Sequence, residues 1–229
     1  MSTTGNPTDG VITEAWGLYK AHFGHLVGIA FVVYLAVALV TFVLVLIAGL
    51  VGAIIAALAA IVALFWAQGA LVKAIEDIRD GRADLSMGET FRAVSPKLGT
   101  IAGASILAGI GIAIGFVLLI VPGLILLTLW VLIVPVIVLE NASVFDSFRR
   151  SQQLVRGRGM QVFGVIVVTI LVLLAFGLVL GLVLQPVDAD IRNVISNLVS
   201  GTLTAPFTAL AWTILYFRLR EVGGPADAA

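Results

Sequence analysis

The chain contains no cysteine among its 229 residues, and it has few charged ones. The absence of cysteine excludes disulfides, thiol nucleophiles and cysteine-ligated metals. Only 11% of the residues are charged whereas 61% are hydrophobic, and acidic and basic residues balance at 13 each. A water-soluble protein of this length could not bury so many apolar side chains in its interior. The composition therefore predicts a membrane protein, and the zero net charge gives no reason to expect a nucleic-acid partner.

Charged residues are absent from two long stretches of the sequence. The first lies between Lys20 and Lys73, and as one helix it would be roughly 78 Å long, against a hydrocarbon core near 30 Å. It must therefore cross the bilayer twice, and its turn is predicted at residues 49–52. Residues 98–139 would form a helix of roughly 63 Å, so they also need a turn. The Val-Pro-Gly sequence at residues 121–123 is expected to supply that break.

Two further apolar stretches bring the number of predicted transmembrane helices to six. The predicted spans are residues 26–48, 53–72, 99–120, 123–139, 160–184 and 196–217. All basic residues except Arg192 fall on one side of this arrangement, so the positive-inside rule predicts that both termini are cytoplasmic. Residues 1–10 and 222–229 are rich in small and polar residues and are expected to be flexible. The expected architecture is a single all-α membrane domain over residues 11–221.

A short motif precedes each odd-numbered span. The three copies are VITEAW at residues 11–16, SMGETF at 86–91 and SVFDSF at 143–148, and each has an acid, a small residue and an aromatic residue in succession. The second and third copies have the spacing of a capping box. Internal repeats of this kind predict three units, each with one amphipathic helix and one helical hairpin. Chance combined with ordinary loop composition is the alternative explanation.

The segments that begin at these motifs carry apolar residues at helical spacing. They are predicted to form three cytoplasmic interfacial helices that lie flat, with their apolar faces toward the acyl chains. The third helix is the least regular, with Phe145, Phe148 and Val155 on its apolar face.

Glu140 is the most informative ionisable residue, because it directly follows an uncharged apolar run. A charge inside the bilayer costs on the order of 3 kcal/mol. Glu140 therefore either ends its span at the headgroup level or pairs with a cation, for which Lys73, Arg149 and Arg150 are the candidates. An ion pair there would be structural, or it would serve as a proton or cation relay, and the sequence leaves both interpretations open.

Four arginines follow Glu140 between the fourth and fifth spans. Arg149, Arg150, Arg156 and Arg158 are expected to hold this loop in the cytoplasm. They are also candidate contacts for anionic lipid headgroups, at about 1 kcal/mol for each basic residue near the surface.

The sixth predicted span is the most polar one. Its Asn197, Thr202 and Thr204 are candidates for a polar solute path. Pro206 in the same span removes a backbone N–H and frees the carbonyl of Thr202, and Pro135 does the same for Val131 in span four.

Sequence motifs for catalysis are absent. The only two histidines, His22 and His25, have no acids beside them at ligand spacing, and the sequence has no GxSxG, HExxH or GxxxxGK[ST] motif. No catalytic residue, metal ligand or cofactor-binding residue is therefore expected. Three GxxxG pairs, Gly24/Gly28, Gly111/Gly115 and Gly177/Gly181, predict close helix packing.

The segment PGLILLTLWVLIVPVIVLENASVFDSFRRSQQLVRGRG at residues 122–159 resembles a bacterial six-helix integral membrane family. That family is related to the membrane domain found beside glycerophosphoryl diester phosphodiesterases. The resemblance is carried by Pro122, Gly123, Glu140, Arg150 and Ser151. Two other stretches agree with it, QGALVKAIEDIRDGRADLSMGETFRAV at residues 68–94 and LYFRLRE at 215–221.

The resemblance implies a multi-pass protein of the bacterial inner membrane. The His-Arg-Gly motif that the phosphodiesterases carry in a separate soluble barrel does not occur here, so their activity is not implied. The leading hypothesis is a non-enzymatic accessory module, related to lipids or the envelope, whose partners are membrane lipids and an unidentified membrane or cytoplasmic protein. A small-solute or lipid transporter with a path near span six is the alternative, and an intramembrane enzyme is a third hypothesis.

Overall fold

The computed structural model describes residues 8–81, 85–186 and 188–223. Across these ranges the chain forms nine α-helices and one 3-10 turn: α1 Val11–Ala21, α2 Phe23–Arg79, α3 Met87–Val94, the turn Ser95–Lys97, α4 Leu98–Leu118, α5 Ile120–Trp130, α6 Ile133–Glu140, α7 Val144–Val155, α8 Gly159–Val183 and α9 Ala189–Gly223. The prediction of an all-α chain is confirmed over these ranges. Most of the two predicted flexible ends lies outside the described residues.

Five helical segments of the described chain are long and apolar enough to cross a membrane. They are Phe23–Arg79, Met87–Leu118, Ile120–Glu140, Gly159–Val183 and Ile195–Val222. Their outward surfaces are strongly apolar, since Leu46, Ile47 and Val117 are exposed to 75%, 77% and 86%. Exposed apolar surface of this extent is typical of a membrane-facing protein.

The 57-residue helix α2 is interrupted at Gly49, within the predicted turn. Gly49 has φ 52° and ψ −126°, a conformation that glycine adopts at little cost because it lacks a Cβ atom. A Cβ atom added at Gly52 would lie 1.8 Å from the carbonyl oxygen of Leu44. In an unbroken helix, residues eight apart would be about 12 Å apart along the axis. The chain therefore reverses direction at Gly49.

The break between α4 and α5 falls at Leu119, two residues before the predicted break at residues 121–123. Leu119 is extended, with φ −162° and ψ 150°. Pro122 lies instead in the first turn of α5, where a missing N–H leaves no helical hydrogen bond unmade. A Cβ atom at Gly115 would lie 3.0 Å from the backbone of Gly123. The Pro-Gly pair therefore permits close packing after the turn and does not form the turn.

A second interruption separates α5 from α6 at Val131 and Leu132. Pro135 lacks the N–H that would bond to the carbonyl of Val131, as the sequence predicts. Ser151 of α7 bridges the gap. Its hydroxyl donates to the carbonyl oxygen of Leu129 at 2.6 Å and accepts from the N–H of Leu132 at 3.3 Å. The interrupted helix therefore depends on a hydroxyl from a neighbouring helix.

Each copy of the repeated motif begins a short helix. Ser86 forms a complete capping box at α3, in which its hydroxyl accepts from the N–H of Glu89 and the Glu89 carboxylate accepts from the N–H of Ser86 at 2.9 Å. Ser143 caps α7 by accepting from the N–H of Asp146 at 3.3 Å. The shorter aspartate accepts from the Ser143 hydroxyl rather than from the Ser143 N–H. The first copy lacks a hydroxyl, and α1 begins directly after Gly10, which has φ 76°.

The three short helices fold back along the long helices. The fifth residue of the motif, which is Ala15, Thr90 or Ser147, is 0% exposed in every copy. Helix α1 packs along α9, α3 along α2, and α7 along α5 and α6. Protein covers these apolar faces in part, since Ala15, Tyr19 and Val94 are buried whereas Trp16 is 49% exposed. Contact of the exposed part with acyl chains stays a prediction. Phe145, predicted on the apolar face of α7, is 72% exposed.

The core is organised around α9. The most apolar stretch of α9 is 56% buried, whereas the other four candidate spans are buried to between 17% and 39%. Its residues Leu210, Ile214, Leu215 and Leu219 are 0% exposed and belong to one cluster with α1, α2, α6, α7 and α8. Pro206 lies inside α9 without ending it.

Candidate functional site

Charged side chains gather where α2, α6 and α9 end. We call this region the basic end, and it comprises Glu14, Lys73, Glu76, Arg79, Lys97, Glu140, Arg150, Arg218 and Glu221. These groups come from both ends of the chain, and most of them lie in ion pairs. Six of the nine lie on α2, α6 and α9, because each of these helices ends in charged residues after an apolar stretch.

Glu140 forms its ion pair with Arg150. The Arg150 Nε donates to both carboxylate oxygens, at 3.1 Å and 2.9 Å, and the Tyr216 hydroxyl donates to Oε1 at 2.8 Å. The Tyr216 side chain is fully buried, and the pair is partly buried, with Arg150 31% and Glu140 23% exposed. Of the three candidate cations, Arg150 is therefore the one that the fold brings to Glu140. The arrangement joins α6, α7 and α9 at one carboxylate.

Lys73 has a different partner. Its Nζ lies 2.6 Å from Oε2 of Glu76, one turn along the same helix, so the candidate pair between Lys73 and Glu140 does not form. Lys97, which the sequence reasoning did not single out, donates to the carbonyl oxygen of Val138 in α6. Arg149, the third candidate, is exposed on α7. Lys73 thus pairs within α2, and Lys97 joins the 3-10 turn to α6.

Three consecutive residues of α9 connect it to three other helices. Tyr216 reaches α6 as described, and Phe217 packs beneath Arg79 of α2, whose guanidinium carbon lies 4.4 Å from the ring centre. Arg79 also lies 2.9 Å from the Glu221 carboxylate. Arg218 reaches α1, where it donates to the Glu14 carboxylate. Successive helical residues point about 100° apart, so a central helix can contact several neighbours at one level.

The other arginines of the predicted lipid-contacting set lie near the junction of α7 and α8. Arg156 is exposed in the turn that follows α7, and Arg158 is half-buried directly before α8. Arg149 points outward from α7. These three remain candidate headgroup contacts, whereas Arg150 is engaged with Glu140.

The three residues of the predicted polar path do not lie on one face of α9. Asn197 and Thr204 are seven residues apart and share a face, whereas Thr202 is five residues from Asn197 and points elsewhere. Asn197 is exposed, and the Thr204 hydroxyl donates to the carbonyl of Ser200 at 2.7 Å. The Thr202 hydroxyl is buried and has no hydrogen-bond partner among the residues that the structure describes. The fold therefore gives these side chains three separate environments.

Each motif aromatic packs edge-to-face against an aromatic residue of a long helix. The pairs are Phe91 with Trp66 at 5.1 Å, Phe148 with Trp130 at 5.0 Å, and Trp16 with Phe207 at 6.2 Å between ring centres. Edge-to-face pairs at such distances add about 0.5–1.5 kcal/mol each beyond the burial of their area. The spacing of residues in the sequence does not predict these pairs.

One unused sequence signal points to two of the aromatic pairs. Trp66 lies ten residues before Glu76, and Trp130 lies ten residues before Glu140. A repeated tryptophan-to-glutamate spacing in two apolar stretches would have marked both tryptophans as equivalent positions.

Two apolar grooves lie on the outside of the bundle. One, between α5 and α8, has a volume of about 290 Å³ and includes Ile125, Met160 and Phe163. The other has a volume of about 220 Å³ and lies between α1, the start of α2, α8 and α9. Within the latter, the Tyr19 hydroxyl donates to the carbonyl of Leu203 at 3.0 Å, and burial raises the pKa of Tyr19 above its ordinary value.

Over the described ranges, no group of three or more His, Cys, Asp or Glu side chains is arranged to hold a metal ion. No family model, curated protein or solved structure matches this chain. The candidate site therefore consists of ion-paired side chains at the basic end and apolar grooves along the sides of the bundle.

Proposed function

We propose that the chain crosses the bacterial inner membrane six times, with the basic end and both termini in the cytoplasm. The reversal at Gly49 supports six crossings, because the two arms of α2, residues 23–48 and 50–79, are each long enough to span about 30 Å of hydrocarbon. The gathering of lysine and arginine at one end supports the orientation.

The absence of cysteine allows a direct test of this topology. Single cysteines are introduced at exposed positions of the basic end (Gln153→Cys) and of the opposite end (Leu50→Cys and Gln185→Cys). In spheroplasts, a membrane-impermeant maleimide is expected to label residues 50 and 185, and to label residue 153 only after lysis. Labelling of residues 50 and 153 from the same side would contradict the proposal.

We further propose three structural units, each with a short helix followed by a long hairpin. Two observations support the repeat: the buried fifth residue of every motif copy, and the edge-to-face pair formed by every motif aromatic. Each short helix packs on an even-numbered predicted span, and α1 closes the series by packing on the last one.

The proposed role is that of a non-enzymatic module that associates with membrane lipids and with an unidentified protein partner, in keeping with the resemblance to the six-helix family. One contrast carries this proposal: Arg150 and Tyr216 both donate to the Glu140 carboxylate, while the two cavities described above are apolar and open outward. Such grooves suit hydrocarbon chains better than polar substrates.

Lipid association is tested by thermal unfolding. The purified, delipidated protein is heated in detergent with and without added phospholipid. A ligand that binds the folded state raises the unfolding midpoint by mass action, so a rise of several degrees is expected as phospholipid is added. An unchanged midpoint with every phospholipid headgroup would contradict the proposed role.

A lipid transporter is the second candidate, because the hydroxyl of Thr202 is buried near Pro206 without a partner among the described residues. Polar groups inside a span often mark a substrate path. The test uses proteoliposomes that contain a fluorescent phospholipid. Dithionite is added outside the vesicles, where it bleaches the dye of the outer leaflet. Transport would bleach more than half of the dye, and Thr202→Val would slow the excess. Bleaching that stops at the value of empty liposomes would count against this candidate.

A further inference from the structure

The groove between α1, α8 and α9 has an aromatic lining. Five of its residues are aromatic: Trp16, Tyr19, Phe23, Phe176 and Phe207. Trp16 and Phe23 remain 49% and 46% exposed, so their rings are available to an occupant. Because the three elements belong to opposite ends of the sequence, the groove exists only after α1 has packed on α9.

The two hydroxyls of this groove are already bonded within the protein. The Tyr19 hydroxyl donates to the carbonyl of Leu203 at 3.0 Å, and the Thr204 hydroxyl donates to the carbonyl of Ser200 at 2.7 Å. An occupant therefore finds apolar and aromatic surface and no free hydrogen-bonding group from these two side chains. A hydrocarbon chain fits that chemistry, whereas a polar solute would lose its hydration without compensation.

The rim of the groove carries a positive charge. Lys20 is exposed, and its Nζ lies 5.9 Å from the centre of the Trp16 ring. The acid of the same helix, Glu14, is occupied by Arg218, so it does not neutralise Lys20. A lysine at the membrane surface attracts an anionic headgroup by about 1 kcal/mol.

We infer that this groove is a binding site for an anionic membrane phospholipid. One acyl chain lies along the aromatic lining, and the phosphate lies against the Lys20 ammonium. The inference rests on the proposed membrane location and deepens it, since it assigns the lipid class and the place. The site differs from the predicted arginine contacts, which lie at the junction of α7 and α8.

The test uses Trp16 as a probe for the lipid. The whole protein is placed in phosphatidylcholine nanodiscs that contain, in separate samples, the same mole fraction of brominated phosphatidylglycerol or brominated phosphatidylcholine. Bromine quenches tryptophan by contact, and the Trp16 contribution is the difference between the wild type and Trp16→Phe. The expected result is about fivefold stronger preference for the anionic lipid, the factor that corresponds to about 1 kcal/mol.

Two variants and their matched controls locate the effect. Lys20→Gln removes the preference, whereas Arg156→Gln, an exposed cation at the other junction, leaves it unchanged. Val172→Phe fills the groove and lowers Trp16 quenching by both lipids, whereas Val179→Phe, at a 59% exposed position two turns along α8 and outside the groove lining, does not. The unfolding midpoint of each variant in nanodiscs verifies that it is folded.

The outcomes separate this inference from the proposed membrane location. Equal quenching of Trp16 by both lipids, or a preference that survives Lys20→Gln, overturns the inference and leaves the membrane location intact. Absence of Trp16 quenching by either lipid also overturns the inference, whereas the membrane location is overturned only by the maleimide labelling described above.

Discussion

At the scale of single residues, Glu140 is a partly buried carboxylate that two other helices contact. Its carboxylate accepts hydrogen bonds from Arg150 and Tyr216 while it is 23% exposed. Hydrogen bonds to a charged group contribute about 1.5–3 kcal/mol, and leaving a buried partner unpaired costs more than the bond itself. The structural interpretation of Glu140 is therefore favoured by its contacts, while its role as a relay stays a prediction.

Replacement of Glu140 by alanine is expected to destabilise the protein by about 2 kcal/mol, because Arg150 and Tyr216 both lose their acceptor. The change is measured as the loss of unfolding free energy in detergent. Glu221→Ala is the matched control, because Glu221 is 66% exposed beside Arg79 and exposed ion pairs contribute at most about 1 kcal/mol. Equal losses for the two variants would mean that the Glu140 contacts have no special weight.

The sequence narrowed the partner of Glu140 to three cations but could not choose among them. The choice depends on how α7 is rotated against α6. Ser151 fixes α7 there by bonding to Leu129 and Leu132, and it is buried although it is polar. Tyr216 was missed because it lies 76 residues away in a predicted span. Helix caps at Ser86 and Ser143 were predictable, since capping involves residues only three apart.

At the scale of helices, close packing depends on a few glycines. A Cβ atom at Gly111 would lie 2.6 Å from the Trp130 ring, and one at Gly115 would lie 3.0 Å from the backbone of Gly123. The second GxxxG pair thus holds α4 against α5. A Cβ atom at Gly177 would meet nothing within 4 Å, so the third pair makes no such contact in the described chain.

Gly111→Ala is expected to destabilise the hairpin of α4 and α5 by about 1–3 kcal/mol, because the added methyl group displaces the Trp130 ring, which also packs against Phe148. Gly177→Ala is expected to be neutral or slightly stabilising, since alanine favours helix at an open position. Both are measured as shifts in the thermal unfolding midpoint in the same detergent. A larger loss at Gly177 than at Gly111 would refute this assignment.

The elements themselves were largely predictable. Spans of about twenty apolar residues follow from composition alone, and the turn at Gly49 was placed correctly because two glycines interrupt an otherwise apolar run. The break at Leu119 was misplaced by two residues, since Pro and Gly mark a helix start as readily as a turn. The burial of part of each short helix against protein was not predicted, because a pattern of apolar residues does not reveal whether lipid or protein covers them.

At the scale of the molecule, the first and last helices close the bundle. Helix α1 packs along α9, and the Arg218 guanidinium donates to the Glu14 carboxylate 204 residues earlier in the sequence. Phe207 and Trp16 add an edge-to-face contact to the same interface. Helix α1 is thus held against the last predicted span by an ion pair and by aromatic packing.

A charge exchange tests this closure. Glu14→Arg places two guanidinium groups together and is expected to lower the unfolding midpoint by several degrees, and Arg218→Glu is expected to act similarly. The double variant restores an ion pair of opposite polarity and is expected to recover most of the loss, as a double-mutant cycle would detect. Additive losses in the double variant would show that the two residues do not interact.

The separation of Glu14 from Arg218 also has a consequence for synthesis. Ribosomes add about 5–20 residues each second, so Arg218 is synthesised roughly 10–40 s after Glu14. During that time α1 has emerged, yet the helix that covers Val11, Ala15 and Tyr19 does not exist. A nascent chain arrested before α9 therefore displays an uncovered apolar helix with an unmatched acid, which a chaperone or membrane protease can recognise as an unfinished protein.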